Sequence, residues 1–114
     1  MIVKNLTKNK EISATAGILN DAFSQAVGLM FSKNKENVLI FKFNREKIVA
    51  LHMLFVFYPI DVLFLNKNKI VVDKKENFRP FAFYKSSKKA MCAIELPDGA
   101  IKKSKTKIGD KIYF

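Results

Sequence analysis

A long apolar stretch, residues 48–65, limits what this chain can fold into. As a single helix it would be roughly 27 Å long, close to the hydrocarbon thickness of a membrane. His52 and Asp61 oppose a membrane span because ionisable groups are costly in hydrocarbon, and Pro59 would interrupt the helix. Val, Ile and Phe are frequent here, and these residues favour strands. We therefore predict two adjacent, buried strands that meet at Pro59.

The rest of the chain reads as short strands separated by polar turns, with a turn at 44–47. Ile18, Phe23 and Val27 recur at helical spacing, so the pattern predicts a helix over 15–30, and a second, short helix is expected over 100–105. The predicted fold is mainly β with a minor α contribution. It is a compact antiparallel β-barrel or sandwich with one N-terminal helix and a short C-terminal helix. The predicted strands are 2–6, 11–14, 38–43, 48–57, 60–65, 70–74, 90–96 and 111–114.

Length and composition indicate a single domain over 1–114, because 114 residues support one core and 49% are hydrophobic. Cys92 is the one cysteine, so no intrachain disulfide forms and no oxidising compartment is needed. With one His as well, the chain lacks the four ligands of a zinc finger, and we expect neither metal nor cofactor. No apolar segment follows the first residues, which argues against a secretory signal. We expect a cytoplasmic protein that does not bind membranes.

The net charge is +11, from 21 Lys and Arg against 10 Asp and Glu. This excess is compatible with an anionic partner. The basic residues are nearly all lysines interspersed with asparagines, a composition that an AT-rich genome also produces. Arg, the better phosphate ligand, occurs only as Arg45 and Arg79.

Three segments resemble a known family. They are Gly-Leu-Met-Phe at 28–31, Pro-Ile-Asp-Val-Leu-Phe-Leu at 59–65, and Glu-Leu-Pro-Asp-Gly at 95–99 followed by Ile-Gly-Asp at 108–110. Their order and spacing are similar to those of the domain-of-unknown-function family 192, small proteins of bacteria and archaea. The chain resembles archaeal-type members that lack a signal peptide. The resemblance implies a compact antiparallel β-barrel or sandwich with short helices, and it implies no reaction.

Two departures from the family pattern bear on function. Ser32 stands where the family usually has Arg, and Leu54 and Phe55 replace a polar Lys-Asn pair. An activity that depended on those polar residues would not carry over to this chain.

The candidate ligand-binding residues are Met30, His52 and Asp61, which lie in a family segment or are polar residues among apolar strands. The leading hypothesis is a non-enzymatic binding or accessory domain for a small molecule or a partner protein. A second hypothesis is an enzyme in which His52 and Asp61 act together. The structural alternative for Asp61 is that it accepts backbone N–H groups and holds the start of its strand.

A third hypothesis is weak nucleic-acid binding through a basic face. Aromatic and basic residues alternate over 78–85, and such a pattern can stack on bases and neutralise phosphates. The alternative is that the aromatic residues are core and the lysines are solvated. The candidate contacts are Arg79, Lys85, Lys88, Lys89, Lys102 and Lys103.

Overall fold

The structure, a computed structural model, describes residues 2–13, 16–19, 38–52 and 58–114. Within these ranges the chain is mostly strand with one short helix, which confirms the predicted mainly β fold. The strands and helix are β1 (Val3–Asn5), β2 (Lys10–Ser13), β3 (Ala16–Leu19), β4 (Val38–Lys47), β5 (Ala50–His52), β6 (Ile60–Leu65), β7 (Val71–Phe78), β8 (Phe83–Lys85), β9 (Ala90–Pro97), α1 (Ala100–Ser104) and β10 (Ile112–Tyr113).

The strands form three sheets. The largest has the order β3-β4-β9-β6-β7, and its pairs are antiparallel except for β3 with β4. A three-stranded sheet has the order β10-β1-β2, and β5 pairs with β8 in a two-stranded sheet. Every residue of β6 is buried, as predicted for a strand that is apolar on both faces.

Two cores lie on opposite faces of the five-stranded sheet. Along β6 the side chains alternate, so Leu63 and Leu65 pack in the first core while Val62 and Phe64 pack in the second. The first core is covered by α1 through Ile101 and by residues of the three-stranded sheet. The second core contains Val49 and residues next to and within β5 and β8. Of the two predicted architectures, the sandwich is the one that this layering resembles.

The start of the predicted N-terminal helix is wrong. Residues Ala16–Leu19 form β3, which pairs in parallel with β4 from Ala16 opposite Val38 to Leu19 opposite Phe41. A short apolar segment is too short for its periodicity to distinguish a helix from a strand. Here the backbone of the segment pairs with β4 through hydrogen bonds. Gly17 also weakens a helix. The remainder of the predicted helix, from residue 20 onward, lies outside the described residues.

The prediction that the two strands before and after Pro59 lie next to each other is also wrong. The strand β5 pairs with β8, with Ala50 opposite Lys85 and His52 opposite Phe83, whereas β6 pairs with β7 and β9. Residues 53–57 of the predicted strand lie outside the described part of the chain. The predicted turn at 44–47 is the continuation of β4, because a strand with one exposed face tolerates polar residues.

Asp73 in β7 fastens the β8 region to the large sheet. Its carboxylate accepts hydrogen bonds from the Tyr84 hydroxyl at 2.7 Å and from the N–H groups of Ser87 and Lys74 at 2.8 Å. Burial alone would raise the pKa of Asp73, but these three donors outweigh it and lower the pKa below its usual value. Burial and the adjacent Asp73 raise the pKa of Tyr84 to about 12.

A second polar cluster holds the C-terminal segment against β1. Asp110 accepts hydrogen bonds at 3.0 Å from the Asn5 amide, the Lys107 N–H and the Lys8 ammonium. The Asn5 amide also donates to the Thr106 hydroxyl at 2.9 Å. Burial would raise the pKa of Asp110, but the hydrogen bonds from Asn5, Lys107 and Lys8 outweigh it and lower the pKa.

Candidate functional site

Glu95 is a carboxyl group in the middle of the molecule. It lies in β9, the central strand of the five-stranded sheet, opposite Leu39 of β4 on one side and Val62 of β6 on the other. It shares its face of the strand with Ala93, a member of the second core. The residue is 3% exposed.

Both carboxyl oxygens of Glu95 lack a hydrogen-bond partner among the residues that the structure describes. Burial disfavours the charged form and raises the pKa of Glu95 to about 8. At pH 7 the group is therefore mostly a neutral carboxylic acid, which can donate one hydrogen bond and accept others. An unsatisfied buried polar group costs about 1–3 kcal/mol, so its presence calls for an explanation beyond packing.

The described residues around Glu95 on this face are apolar. Val62 and Phe64 from β6 and Phe41 from β4 belong to the same buried cluster, and Leu39 is half-buried beside it. Apolar walls with one polar group are the usual composition of a small-molecule site. The arrangement places a neutral carboxylic acid, which can donate one hydrogen bond and accept others, among buried apolar side chains.

Asp61 faces the other way. It lies opposite Leu96, whose side chain belongs to the first core, and its carboxylate accepts backbone N–H groups of Asn77 at 3.0 Å and Ile101 at 2.9 Å. Such contacts are expected if Asp61 has the structural role of accepting backbone N–H groups. They join three elements, β6, β7 and α1.

The three predicted ligand-binding residues are not assembled in one described site. Met30 and the side chain of His52 lie outside the described residues. The backbone of His52 is in β5, opposite Phe83, whereas Asp61 is in the five-stranded sheet. The strands of the hypothetical catalytic pair are therefore not neighbours. Leu51 of β5 and Val49, just before this strand, pack with the second core. This segment therefore lies on the face of the large sheet from which Glu95 projects.

The predicted nucleic-acid contacts are divided between the two faces of the large sheet. Lys102 and Lys103 belong to α1 on the first-core side, whereas Lys85 belongs to β8, whose neighbour Tyr84 packs on the second core. The Arg79 side chain donates to the Asn77 amide oxygen at 3.0 Å. Lys88 and Lys89 are exposed in the loop between β8 and β9. Lys102 and Lys103 therefore lie on the opposite side of the large sheet from Lys85.

Over the described ranges, His, Cys, Asp and Glu side chains do not gather in groups of three that could hold a metal ion. In the same ranges, no helix has the length and apolar character needed to cross a membrane.

Sequence reasoning missed Glu95, although a signal was available. The segment 90–96 predicts a buried strand, and Glu95 is the one ionisable carboxyl within it. An acid inside a buried strand carries the same desolvation cost that drew attention to Asp61.

The fold and Glu95 together define a small, sandwich-like β protein in which, among the residues that the structure describes, one buried acid is unsatisfied beside an apolar core. The chain belongs to the domain-of-unknown-function family 192, described as an uncharacterised ACR family, whose model matches residues 3–114. This confirms the resemblance seen in the sequence.

Curated relatives agree with this assignment. A UPF0127 protein of Pyrococcus furiosus is 36% identical over 110 residues, covering 95% of this chain and 93% of its own length. One from Thermococcus sibiricus is also 36% identical over 110 residues, covering 95% and 71%.

Two solved structures share the fold. One, described as a putative transcription regulator from Sinorhizobium meliloti, has a TM-score of 0.85 at 21% identity and covers 98% of this chain and 89% of its own. The other, a protein of unknown function from Novosphingobium aromaticivorans, has a TM-score of 0.84 at 20% identity and covers 99% and 82%. The function of this family is unknown.

Proposed function

We propose that this protein is a non-enzymatic binding domain that accepts one small molecule at Glu95, on the second-core face of the large sheet. The observation that carries the proposal is that both Glu95 oxygens are buried without a hydrogen-bond partner in the described part of the chain. A ligand that supplies the missing partner would remove a destabilising feature of the free protein. That gain would appear as binding free energy.

The chemistry around Glu95 favours a ligand with an apolar body and a cationic amine. Leu39 and Val62, the strand neighbours of Glu95, would contact the apolar body. An ammonium group would stabilise the carboxylate form of Glu95 and lower its pKa from about 8. Glu95 would then release its proton to the solvent as the complex forms, since the amine is already protonated at pH 7.

Two further observations support the proposal, one for a cytoplasmic location and one for a binding role. Cys92, the one cysteine, is a buried free thiol, so the fold uses no disulfide. The solved structure described as a putative transcription regulator from Sinorhizobium meliloti has the same fold. Regulation requires recognition of a signal and no catalytic step by the recognising domain.

Isothermal titration calorimetry with three matched compounds tests the proposal. Phenethylamine, 2-phenylethanol and 3-phenylpropionate share one apolar body and differ in the head group. At pH 7 the amine should bind most tightly and the carboxylate least tightly. The measured enthalpy of amine binding should differ between phosphate and Tris buffers by the amount expected for proton release.

Variants connect the result to one side chain. Glu95→Gln should weaken phenethylamine binding about 100-fold, because a buried charge-assisted hydrogen bond contributes roughly 1.5–3 kcal/mol. Glu11→Gln makes the same change at an exposed position of β2 and should leave the affinity unchanged. Amine binding of equal strength in both variants, or no preference for the amine over the carboxylate, contradicts the proposal.

A further inference from the structure

A cleft of about 450 Å³ lies on the first-core side of the molecule, away from Glu95. Its lining includes Lys102 at the end of α1, Lys105 and Lys107 after the helix, and Lys8 and Lys74 from two other parts of the chain. We call it the lysine cleft. The buried residues Ile101 and Thr106 also line it, and Glu76 is the one acid in its lining among the described residues.

The charges of the lysine cleft are only partly neutralised. Lys8 pairs with Asp110 at 3.0 Å, and Lys74 pairs with Glu76 at 3.1 Å. Within the ranges that the structure describes, the ammonium groups of Lys102, Lys105 and Lys107 have no acidic partner. Like charges around one cleft repel each other, so the arrangement favours binding of an anion.

Lys105 occupies a backbone conformation that does not suit lysine. It ends α1 in the left-handed region, with φ 57° and ψ 29°, where glycine is the usual residue. Its N–H donates to the Lys102 carbonyl at 3.1 Å, as expected of a helix C-cap. A glycine would adopt this conformation with less strain, so Lys105 places a cation at the cleft at some cost in stability.

The Asn5–Asp110 cluster holds the walls of the lysine cleft in place. Thr106 accepts the Asn5 amide at 2.9 Å and lies 2.7 Å from the Ser104 hydroxyl, which fixes the segment that follows α1. Asp110 holds the Lys8 ammonium by both carboxylate oxygens at 3.0 Å. The cations are therefore mounted on a braced segment, which limits the ordering cost of binding.

We propose that the lysine cleft is a second binding site, which takes a compact anion carrying two or more phosphate groups. Five lysines surround one concave volume, and this suits a short polyphosphate better than an extended strand. No aromatic side chain lines the cleft as the structure describes it, whereas single-stranded nucleic acid is usually held by stacking on such rings. The site is independent of Glu95, which lies on the opposite face of the sheet.

Titration of the whole protein with tripolyphosphate, at fixed ionic strength set with sodium chloride, tests this inference. Saturable binding of one anion per chain is expected, with an affinity that falls as salt rises. Sodium sulfate should compete weakly. Lys102→Gln should weaken binding about tenfold, the range expected for loss of one charge-assisted contact. Glu76→Gln should strengthen binding severalfold, because it removes an acid from the lining and frees Lys74 from its ion pair.

Lys105→Gly separates binding from folding. It should lower the affinity for tripolyphosphate about tenfold, while the variant unfolds at the same or a higher urea concentration than the parent protein. Lys89→Gln is the matched control, since it makes the same charge change at an exposed lysine of the loop between β8 and β9. Its effect on affinity should be less than twofold.

Three outcomes would overturn the inference. Equal losses in Lys89→Gln and Lys102→Gln would show that tripolyphosphate responds to net charge alone. Absence of saturable binding at low salt would show that the lysine cleft holds no anion. Tighter binding of a 12-nucleotide oligothymidylate than of tripolyphosphate, lost in Lys102→Gln and Lys105→Gly, would assign the lysine cleft to nucleic acid instead.

Discussion

The backbone N–H of Ile101 donates a 2.9 Å hydrogen bond to the carboxylate of Asp61, so a side chain from β6 caps the first turn of α1. Gly99, the N-cap residue, makes no side-chain capping bond, which leaves this N–H to a partner distant in sequence. The other Asp61 oxygen accepts the Asn77 N–H at 3.0 Å. One carboxylate thus joins β6, β7 and α1.

Replacing Asp61 should destabilise the fold strongly. Asp61→Ala leaves the N–H groups of Ile101 and Asn77 without their partner, and we expect a loss of about 2–4 kcal/mol in the free energy of unfolding. Urea unfolding followed by circular dichroism measures this loss. The control Asp98→Ala removes an exposed acid that contacts the Asn77 side chain, and it should cost under about 0.5 kcal/mol. A loss below about 1 kcal/mol for Asp61→Ala would contradict the capping role.

Glu95 should make the stability of the free protein depend on pH in the opposite direction from an ordinary acid. Its pKa is raised from 4.5 to about 8, so between these values the folded state binds more protons than the unfolded state. Stability should therefore fall as pH rises from about 4.5 to 8, by at most about 1.4 kcal/mol per pH unit from this group.

Glu95→Gln tests this pH dependence. The variant should match the parent protein near pH 5 and become more stable than it by pH 8, as measured by urea unfolding at intermediate pH values. Glu11→Gln should show no such divergence, because Glu11 is exposed. Parallel stability profiles for Glu95→Gln and the parent protein would show that Glu95 is ionised and satisfied in the fold.

Asp110 should behave in the conventional way. Its pKa lies below the usual 3.8, so its stabilising contribution is complete above that value and is lost as pH falls through the folded-state pKa. We expect Asp110→Asn to cost about 1–2 kcal/mol at pH 7, since it weakens hydrogen bonds from Lys8 and Lys107. The difference between variant and parent should shrink below pH 3.8. A difference that persists unchanged at pH 2 would rule out this contribution.

Cys92 should be unreactive in the folded protein. It lies in the middle of β9 and is 3% exposed. Burial raises the pKa of its thiol, and the charges of Lys42 and Lys69 offset this rise only in part. We expect Ellman's reagent to modify Cys92 rapidly in urea and at least 100-fold more slowly without it. Rapid modification of the native protein would mean that β9 is not in the interior.

Some features of the fold follow from local sequence patterns. Apart from Asp61, the residues of segment 60–65 are apolar on both faces of a strand. This pattern predicts a strand that is covered on both sides. The short helix after Gly99 was predicted within one residue of its end. The three family segments identified the family because their order along the chain is itself a sequence property.

The candidate site could not be predicted in the same way. Asp61 and Glu95 are both acids in buried strands, and the sequence gives no reason to treat them differently. In the structure Asp61 faces the first core and finds two backbone donors, whereas Glu95 faces the second core and finds none among the described residues. Only the pairing of β6 with β9 assigns each side chain to its face.

The amino-acid sequence by itself determined the strand content, the family and the burial of 60–65, because these depend on the side chains of neighbouring residues. The tertiary structure alone decided that Ala16–Leu19 is a strand, that β5 pairs with β8, and which buried acid is satisfied. These outcomes depend on which distant segment supplies hydrogen bonds. The packing of the whole chain determines which segments pair. A one-residue change in the register of a strand would move each of its side chains to the other face of the sheet.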